Sequence, residues 1–342
     1  MRSRVEYVEP LPDLDPSVLA SDQIAEAMRH LDRHPDSLVR WPFPDLDALT
    51  GPMGAGEVWF VPAFSGGGKT TFIVSAIEAW RQSGKRIYVM PLELQAHRFR
   101  TMLACMMTGT HPGDALSGQL RADPLRRPER EALKTALLAQ GHDDYVAQVM
   151  ISEQRAINVA GLRQGLLEAK SFGADVVIVD HIDHIEGEDR TSLYAASKQV
   201  NHAALTMAQD NGLLLVFTSQ LNMDITRGDR LSKYAAPMVQ QVQFPSVKLQ
   251  ITTGMIGLYR PLRDRHPDET PEDFAAALKR ARAGDADAPD MLAPNTMGVV
   301  CMKSRNYGSR EGVKIRLAVE HGRVMHLPEK DRYQTHYGAR HP

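Results

Sequence analysis

Cysteine is nearly absent: the 342-residue chain has two, Cys105 and Cys301. They lie far apart in apolar surroundings, which excludes a disulfide framework and fits reduced core residues of a cytosolic protein. An excess of positive charge is also missing, since the formal net charge is −2. Proteins that coat duplex DNA carry a basic footprint, so any nucleic-acid contact must be local, in a groove or on a few loops. No apolar run is long enough to cross a bilayer. Acidic, proline-rich sequence follows Met1-Arg2-Ser3-Arg4 where a secretory leader would have an apolar stretch. These absences point to the cytoplasm, with no membrane partner. Internal repeats are absent as well. What remains is 43% hydrophobic and 24% charged, a balance that can bury a substantial core without disulfides or metals at this length.

Residues 1–20 read as an arm. Ile24, Met28 and Leu31 then recur at helical spacing behind a candidate N-cap, Ser21. This short helix at 21–34 either packs on its own core or docks on a neighbouring subunit. The organisation is an arm over 1–37, a main domain over 38–327 and a tail over 328–342. In the main domain, apolar β-rich runs at 57–62, 86–91, 148–152, 175–180, 213–219, 255–259, 298–303 and 314–319 are mostly separated by helical stretches. Those helices are expected at 70–82, 94–107, 128–140, 156–171 and 193–210. Such alternation predicts an α/β fold with a mostly parallel sheet and helices on both faces. Two long connections interrupt it. The one at 222–250 carries Arg227, Arg230, Lys233 and Lys248 against Asp224 and Asp229, with no helix evident. The one at 261–297 holds a single helix beginning at Pro271.

The strongest motif is Ala63-Phe64-Ser65-Gly66-Gly67-Gly68-Lys69-Thr70-Thr71, after a strand and before a helix. A triphosphate needs close backbone approach, free N–H groups at a helix N-terminus, a cation and a hydroxyl for Mg²⁺. Ser65, the three glycines and Thr71 supply the cradle, Lys69 the charge and Thr70 the hydroxyl. A buried strand ending in Asp180 follows, the position of a Mg²⁺-holding carboxylate in phosphate-loop enzymes. On a continuing strand, His181 and Asp183 would share one face and Asp180 and His184 the other, and no further Cys or His cluster completes a zinc site. Glu93 follows the strand at 86–91 and so falls at the edge where open α/β sheets bind ligands. It fits a water-activating base, and equally a solvated acid in a first helical turn. Gln220 ends the strand at 213–219 at the same edge. Lys303 and Arg305, two apart on a strand end, fit a phosphate reached from outside, or a pair of surface charges.

Taken together, these motifs resemble the RecA-like motor domain of DnaB-type replicative helicases and phage primase-helicases. The resemblance runs from about residue 38 to residue 327. That family often has Ala where Ala63 stands. Pro91-Leu92-Glu93-Leu94 resembles its Ser-Leu-Glu-Met-like sequence, and Ser219-Gln220-Leu221-Asn222 its sensor. Lys303-Ser304-Arg305-Asn306-Tyr307-Gly308 resembles the late motif that reaches a neighbouring subunit's ATP. The resemblance implies a RecA-like P-loop NTPase that uses ATP and Mg²⁺. Glu93, Lys69, Gln220, Lys303 and Arg305 would be catalytic, and Thr70 and Asp180 would hold the metal. It further implies a homo-oligomer, a hexamer in that family, on single-stranded DNA, with a primase or helicase loader as partner. The DNA contacts would fall to Arg227, Arg230, Lys233 and Lys248. Two departures stand out: the family's N-terminal domain is absent, and its Asp-Leu-Arg-x-Ser-Gly loop is replaced by Gln241-Val242-Gln243-Phe244-Pro245-Ser246. Two functions fit: an ATP-driven helicase, or a RecA-like ATPase switch or loader that does not unwind.

Overall fold

The computed structural model describes residues 28, 37–154, 157–187, 192–222, 235–262, 265–266, 268–283, 285, 292–293, 295–305 and 310–326. The chain divides into two compact units, Met1–Leu38 and Val39–Pro342, and the fold below is that of the second. Of the helix expected at 21–34 only Met28 is among the described residues. The tail at 328–342, Asn306 to Gly308, and Arg227, Arg230 and Lys233 lie outside them.

The strands are β1 (Val58–Ala63), β2 (Ile87–Pro91), β3 (Val149–Ile151), β4 (Ile157–Asn158), β5 (Val176–Asp180), β6 (Ile185–Glu186), β7 (Leu215–Gln220), β8 (Gly254–Tyr259), β9 (Thr296–Ser304), β10 (Lys314–Glu320) and β11 (Arg323–Met325). Nine of them form one sheet in the order β11-β10-β9-β8-β1-β7-β5-β2-β3. From β8 to β3 every pairing is parallel, and β9, β10 and β11 extend the sheet antiparallel. The main helices are α1 (Pro44–Thr50), α2 (Lys69–Gln82), α3 (Ala96–Thr108), α4 (Arg127–Ala139), α5 (Val159–Phe172), α6 (Leu193–Asn211), α7 (Pro245–Ile251) and α8 (Pro271–Ala283).

The central strands are apolar along most of their length because both faces are covered, and β5 and β7 turn polar only at their C-terminal ends, at Asp180 and at Thr218 to Gln220. Along β1, Trp59 and Val61 join one core with Phe72, Ile73 and Trp80 of α2, while Val58 and Phe60 join the other with Leu162, Ala204 and Phe217. On α2 the buried Phe72, Ile73, Ala76, Ile77 and Trp80 form a stripe at helical spacing. Each fully buried side chain of this size stabilises the fold by about 1.5–3 kcal/mol. Helix starts follow their caps: the Asn158 side chain accepts the Gly161 N–H, so α5 begins three residues later than the pattern at 156–171 indicates.

Three expectations need correction. The connection at 222–250 contains a helix, α7, begun by Pro245 at its first position and buried through Val247, Lys248 and Ile251. Its buried face is only Val247, Lys248 and Ile251, and with a lysine in it no apolar stripe marks a helix. Strand β11 was not anticipated, being a three-residue partner of β10. The residues after Asp180 do not continue as a strand, because a single 3-10 turn spans Ile182–His184. The alternation of faces assumed for His181, Asp183 and His184 therefore does not hold.

Candidate active site

The parallel register brings four chain segments to one edge. Ala63 lies beside Gln220, and Pro91 beside Asp180. Beyond Ala63 the chain turns through Gly66 and Gly68, whose φ values of 73° and 89° are left-handed. A Cβ on Gly67 would sit 2.8 Å from the Phe64 carbonyl oxygen, whose hydrogen bond from the Gly67 N–H closes the loop. Helix α2 then starts at Lys69 with no side-chain cap at Gly68. Its first N–H groups have no intrahelical partners, and the helix dipole favours an anion there. Lys69 is buried, with Nζ 3.5 Å from the Ala63 carbonyl oxygen. Ser65 and Gly66 are exposed at the loop's tip.

Asp180 is fully buried at the end of β5. Its carboxylate accepts hydrogen bonds from Thr70, at 3.3 Å, and from Thr218 on the adjacent strand β7. Burial pushes this carboxyl well up from its ordinary range, against the hydrogen bond from Thr218, and the nearby Glu93 adds to the rise. A divalent cation would reverse that effect and would find a hydroxyl and a carboxylate already paired. The donor set thus fits Mg²⁺ held through Thr70 and Asp180.

Glu93 stands beside this group because the N–H groups of Leu92 and Glu93 both donate to the Asp180 carbonyl oxygen, at 2.6 and 2.9 Å. Its side chain is 45% exposed and reaches toward His181, 3.7 Å away. Burial pushes the His181 imidazole down to about 4. It is therefore neutral at ordinary pH, and its Nδ1 has no hydrogen-bond partner among the described residues. Leaving such an atom unsatisfied costs about 1–3 kcal/mol. Gln220 projects from the end of β7, exposed, with its backbone N–H donating to Asp183 at 2.9 Å.

Lys248 does not belong where the sequence put it. The side chain is wholly buried, with Nζ 2.6 Å from Asp183 and 2.6 Å from the Ser219 hydroxyl. A cation enclosed this way cannot meet a phosphate backbone. In sequence the segment reads as loop, where a lysine is solvated, whereas α7 turns Lys248 inward.

Lys303 and Arg305 lie at the opposite edge of the sheet. Strand β9 runs antiparallel, so Ser304 pairs with Gly254, which itself pairs with Trp59 near the start of β1. From Trp59 to the phosphate loop is four residues of strand, on the order of 13 Å. There Lys303 donates to the Leu249 carbonyl and Arg305 to the Gln250 carbonyl, both at the C-terminal end of α7. Neither cation can serve the nucleotide site of its own chain.

A cleft of about 430 Å³ adjoins the phosphate loop on its other side, lined by Gly66, Gly68, His111, Arg260, Asn295 and His321 among others. Its size suits a base and sugar. Sequence reasoning missed it, because its walls come from separate segments with no shared pattern.

A family model described as "DnaB-like helicase C terminal domain" matches residues 39–243. The match ends before α7, so Lys248, Lys303 and Arg305 lie beyond it. Among solved structures, one described as an ATPase domain aligns at TM-score 0.65 and 15% identity, covering 93% of this chain and 100% of its own. A DnaB-like replicative helicase, described with its interactions with primase, aligns at TM-score 0.63 and 15% identity, covering 93% and 68%. A KaiC-like protein, PH0186, from Pyrococcus horikoshii OT3 aligns at TM-score 0.50 and 15% identity, covering 85% and 99%. No curated protein matches the chain.

Proposed function

The chain belongs to the family of DnaB-like helicase C-terminal domains, and we propose that it works as the motor subunit of a ring, a hexamer, that draws itself along single-stranded DNA. Within that family it is an ATP-hydrolysing helicase, which decides between the two functions open from sequence. The observation that carries the rest is the split between the sheet's edges. Lys69, Thr70, Glu93, Asp180 and Gln220 gather at one, while Lys303 and Arg305 stand at the other. Seated between two subunits, ATP would meet both sets.

In this reading Ser65 to Thr71 hold the phosphates through backbone N–H groups, and the cleft at His111, Arg260 and His321 takes base and sugar. Thr70 and Asp180 would hold Mg²⁺, which when bound would supply Lewis-acid neutralisation of phosphate charge. Glu93 takes the proton of the attacking water, and Lys69 balances charge on the γ-phosphate. Gln220 senses that phosphate. From the neighbouring subunit, Lys303 and Arg305 stabilise charge that grows as the phosphoryl group transfers. Partners would be single-stranded DNA in the channel and a primase or a loader on the ring.

With Lys248 withdrawn, Arg227, Arg230 and Lys233 are the cations left to meet the strand from the segment at 223–234. Single-strand binding lowers log K by about 0.7 per neutralised phosphate for each unit of log salt. Replacing all three by Ala should therefore reduce the salt slope by about 2, while turnover of ATP without DNA persists. Fluorescence anisotropy with a labelled oligonucleotide across a salt series checks this. An intact protein that hydrolyses ATP yet binds no oligonucleotide at low salt contradicts the proposed motor on DNA.

A further inference from the structure

Asp183, in the turn after β5, collects donors from two elements. Its Oδ2 accepts the Ser219 hydroxyl at 3.0 Å and the Gln220 N–H at 2.9 Å, both from β7. Its Oδ1 accepts Lys248 Nζ from α7 at 2.6 Å. His181 Nδ1 stands 3.6 Å from Oδ2. Beneath the pair, the Phe60 ring lies 5.8 Å from the ammonium. Burial works against the Asp183 charge, yet the Lys248 ammonium and the Gln220 N–H hold its carboxyl below the usual range.

We propose that Asp183 and Lys248 are positioning residues for ATP turnover: their buried pair fixes the Gln220 backbone at the γ-phosphate edge and seats α7 against it. This rests on the reading of that edge as an ATPase site. A buried ion pair adds little stability over a well-packed apolar pair, so its consequence here is geometric. Two further contacts give it reach. At the near end, Leu221 bridges Val242 and the Asn222 N–H donates to the Gln241 carbonyl at 2.7 Å, which closes the base of the 223–240 connection. At the far end, the Thr252 hydroxyl and the Thr253 N–H donate to the Val58 carbonyl at 3.1 and 2.8 Å, at the opposite edge of the sheet. Helix α7 thus spans the sheet, a rise of about 10 Å for seven residues. Lys248, in its last turn, reaches the sensor strand through its side chain, while the carbonyls of the next two residues, Leu249 and Gln250, accept from Lys303 and Arg305. A shift of Lys248 moves both.

The test compares Asp183→Asn, Lys248→Met and the double variant with the wild-type chain. Each single change leaves one buried charge alone and is expected to lower the melting temperature. The double variant removes both charges and should recover it. Turnover should not recover: kcat stays down by about 10- to 100-fold, the effect of a misplacement near 1 Å. KM and affinity for a non-hydrolysable ATP analogue stay near wild type. A double variant that regains wild-type kcat along with its melting temperature overturns the proposal alone. Absence of ATP turnover in the wild-type chain overturns this proposal and the reading of the site together. If the double variant does not fold, Ser219→Ala carries the test. It removes the hydroxyl shared by Lys248 and Asp183 and spares both charges, so kcat should fall at unchanged KM, with a melting temperature above those of the two single charge variants. A wild-type kcat in that variant overturns the proposal.

Discussion

Glu93→Gln is expected to bind ATP as the wild-type chain does and to hydrolyse it about 10²- to 10⁴-fold more slowly, the usual contribution of a general base. The reason lies in its surroundings. The turn bearing Glu93 is tied to Asp180 through two backbone hydrogen bonds, which place its carboxylate beside the Thr70–Asp180 pair. Its partial exposure leaves room for a water molecule at the carboxylate. Gln keeps the size and loses the ability to take a proton. Lys69→Ala should behave differently and lose nucleotide affinity, because the Lys69 ammonium lies inside the phosphate loop itself. Equilibrium binding of a fluorescent ATP analogue, followed by single-turnover hydrolysis, separates the two. Normal turnover by the Gln variant would remove Glu93 from the role of base.

Arg305→Ala is expected to retain nucleotide affinity and lose about 10³- to 10⁵-fold in kcat, the range for cationic fingers in phosphoryl transfer. Within its own chain the Arg305 guanidinium donates to a helix-end carbonyl, a contact whose loss would leave the chemistry intact. That contact lies at the edge remote from the chain's own phosphate loop, so a defect of this size points to a neighbouring subunit's nucleotide. Arg305→Lys should rescue little, since a point charge does not reproduce the planar fork of the guanidinium. Steady-state hydrolysis at saturating ATP measures this.

The chemistry at the phosphate-loop edge was legible in the sequence because it follows strand ends. A buried apolar run fixes where a strand stops, and the residue after it falls at the ligand edge whatever the order of strands. Glu93, Asp180 and Gln220 are placed at that edge in this way, and Lys69 and Thr70 by the glycine-rich motif between a strand and a helix. What escaped was set by contacts between distant segments. Asp183 and Lys248 lie 65 positions apart, and only the packing of α7 on β7 brings them together. The clue was present: Val247, Lys248 and Ile251 share one face at helical spacing behind Pro245. A lysine among a connection's other cations nonetheless reads as solvated. The cleft residues His111, Arg260, Asn295 and His321 had no such clue. For Lys303 and Arg305 the residue types were readable, but their distance from the chain's own phosphate loop required the antiparallel pairing of β9.

The central claim is that ATP is handled between two subunits, and complementation by mixing tests it most directly. Lys69→Ala subunits lack the phosphate-loop half of the site and retain Arg305, while Arg305→Ala subunits have the reverse. Neither alone should hydrolyse ATP at a useful rate. In mixed rings, with subunit exchange verified by two fluorescent labels, some interfaces unite an intact phosphate loop with an intact finger. Hydrolysis should then rise well above either parent and peak near equal proportions. Mixtures that exchange subunits and stay as inactive as the parents would contradict a site shared between chains.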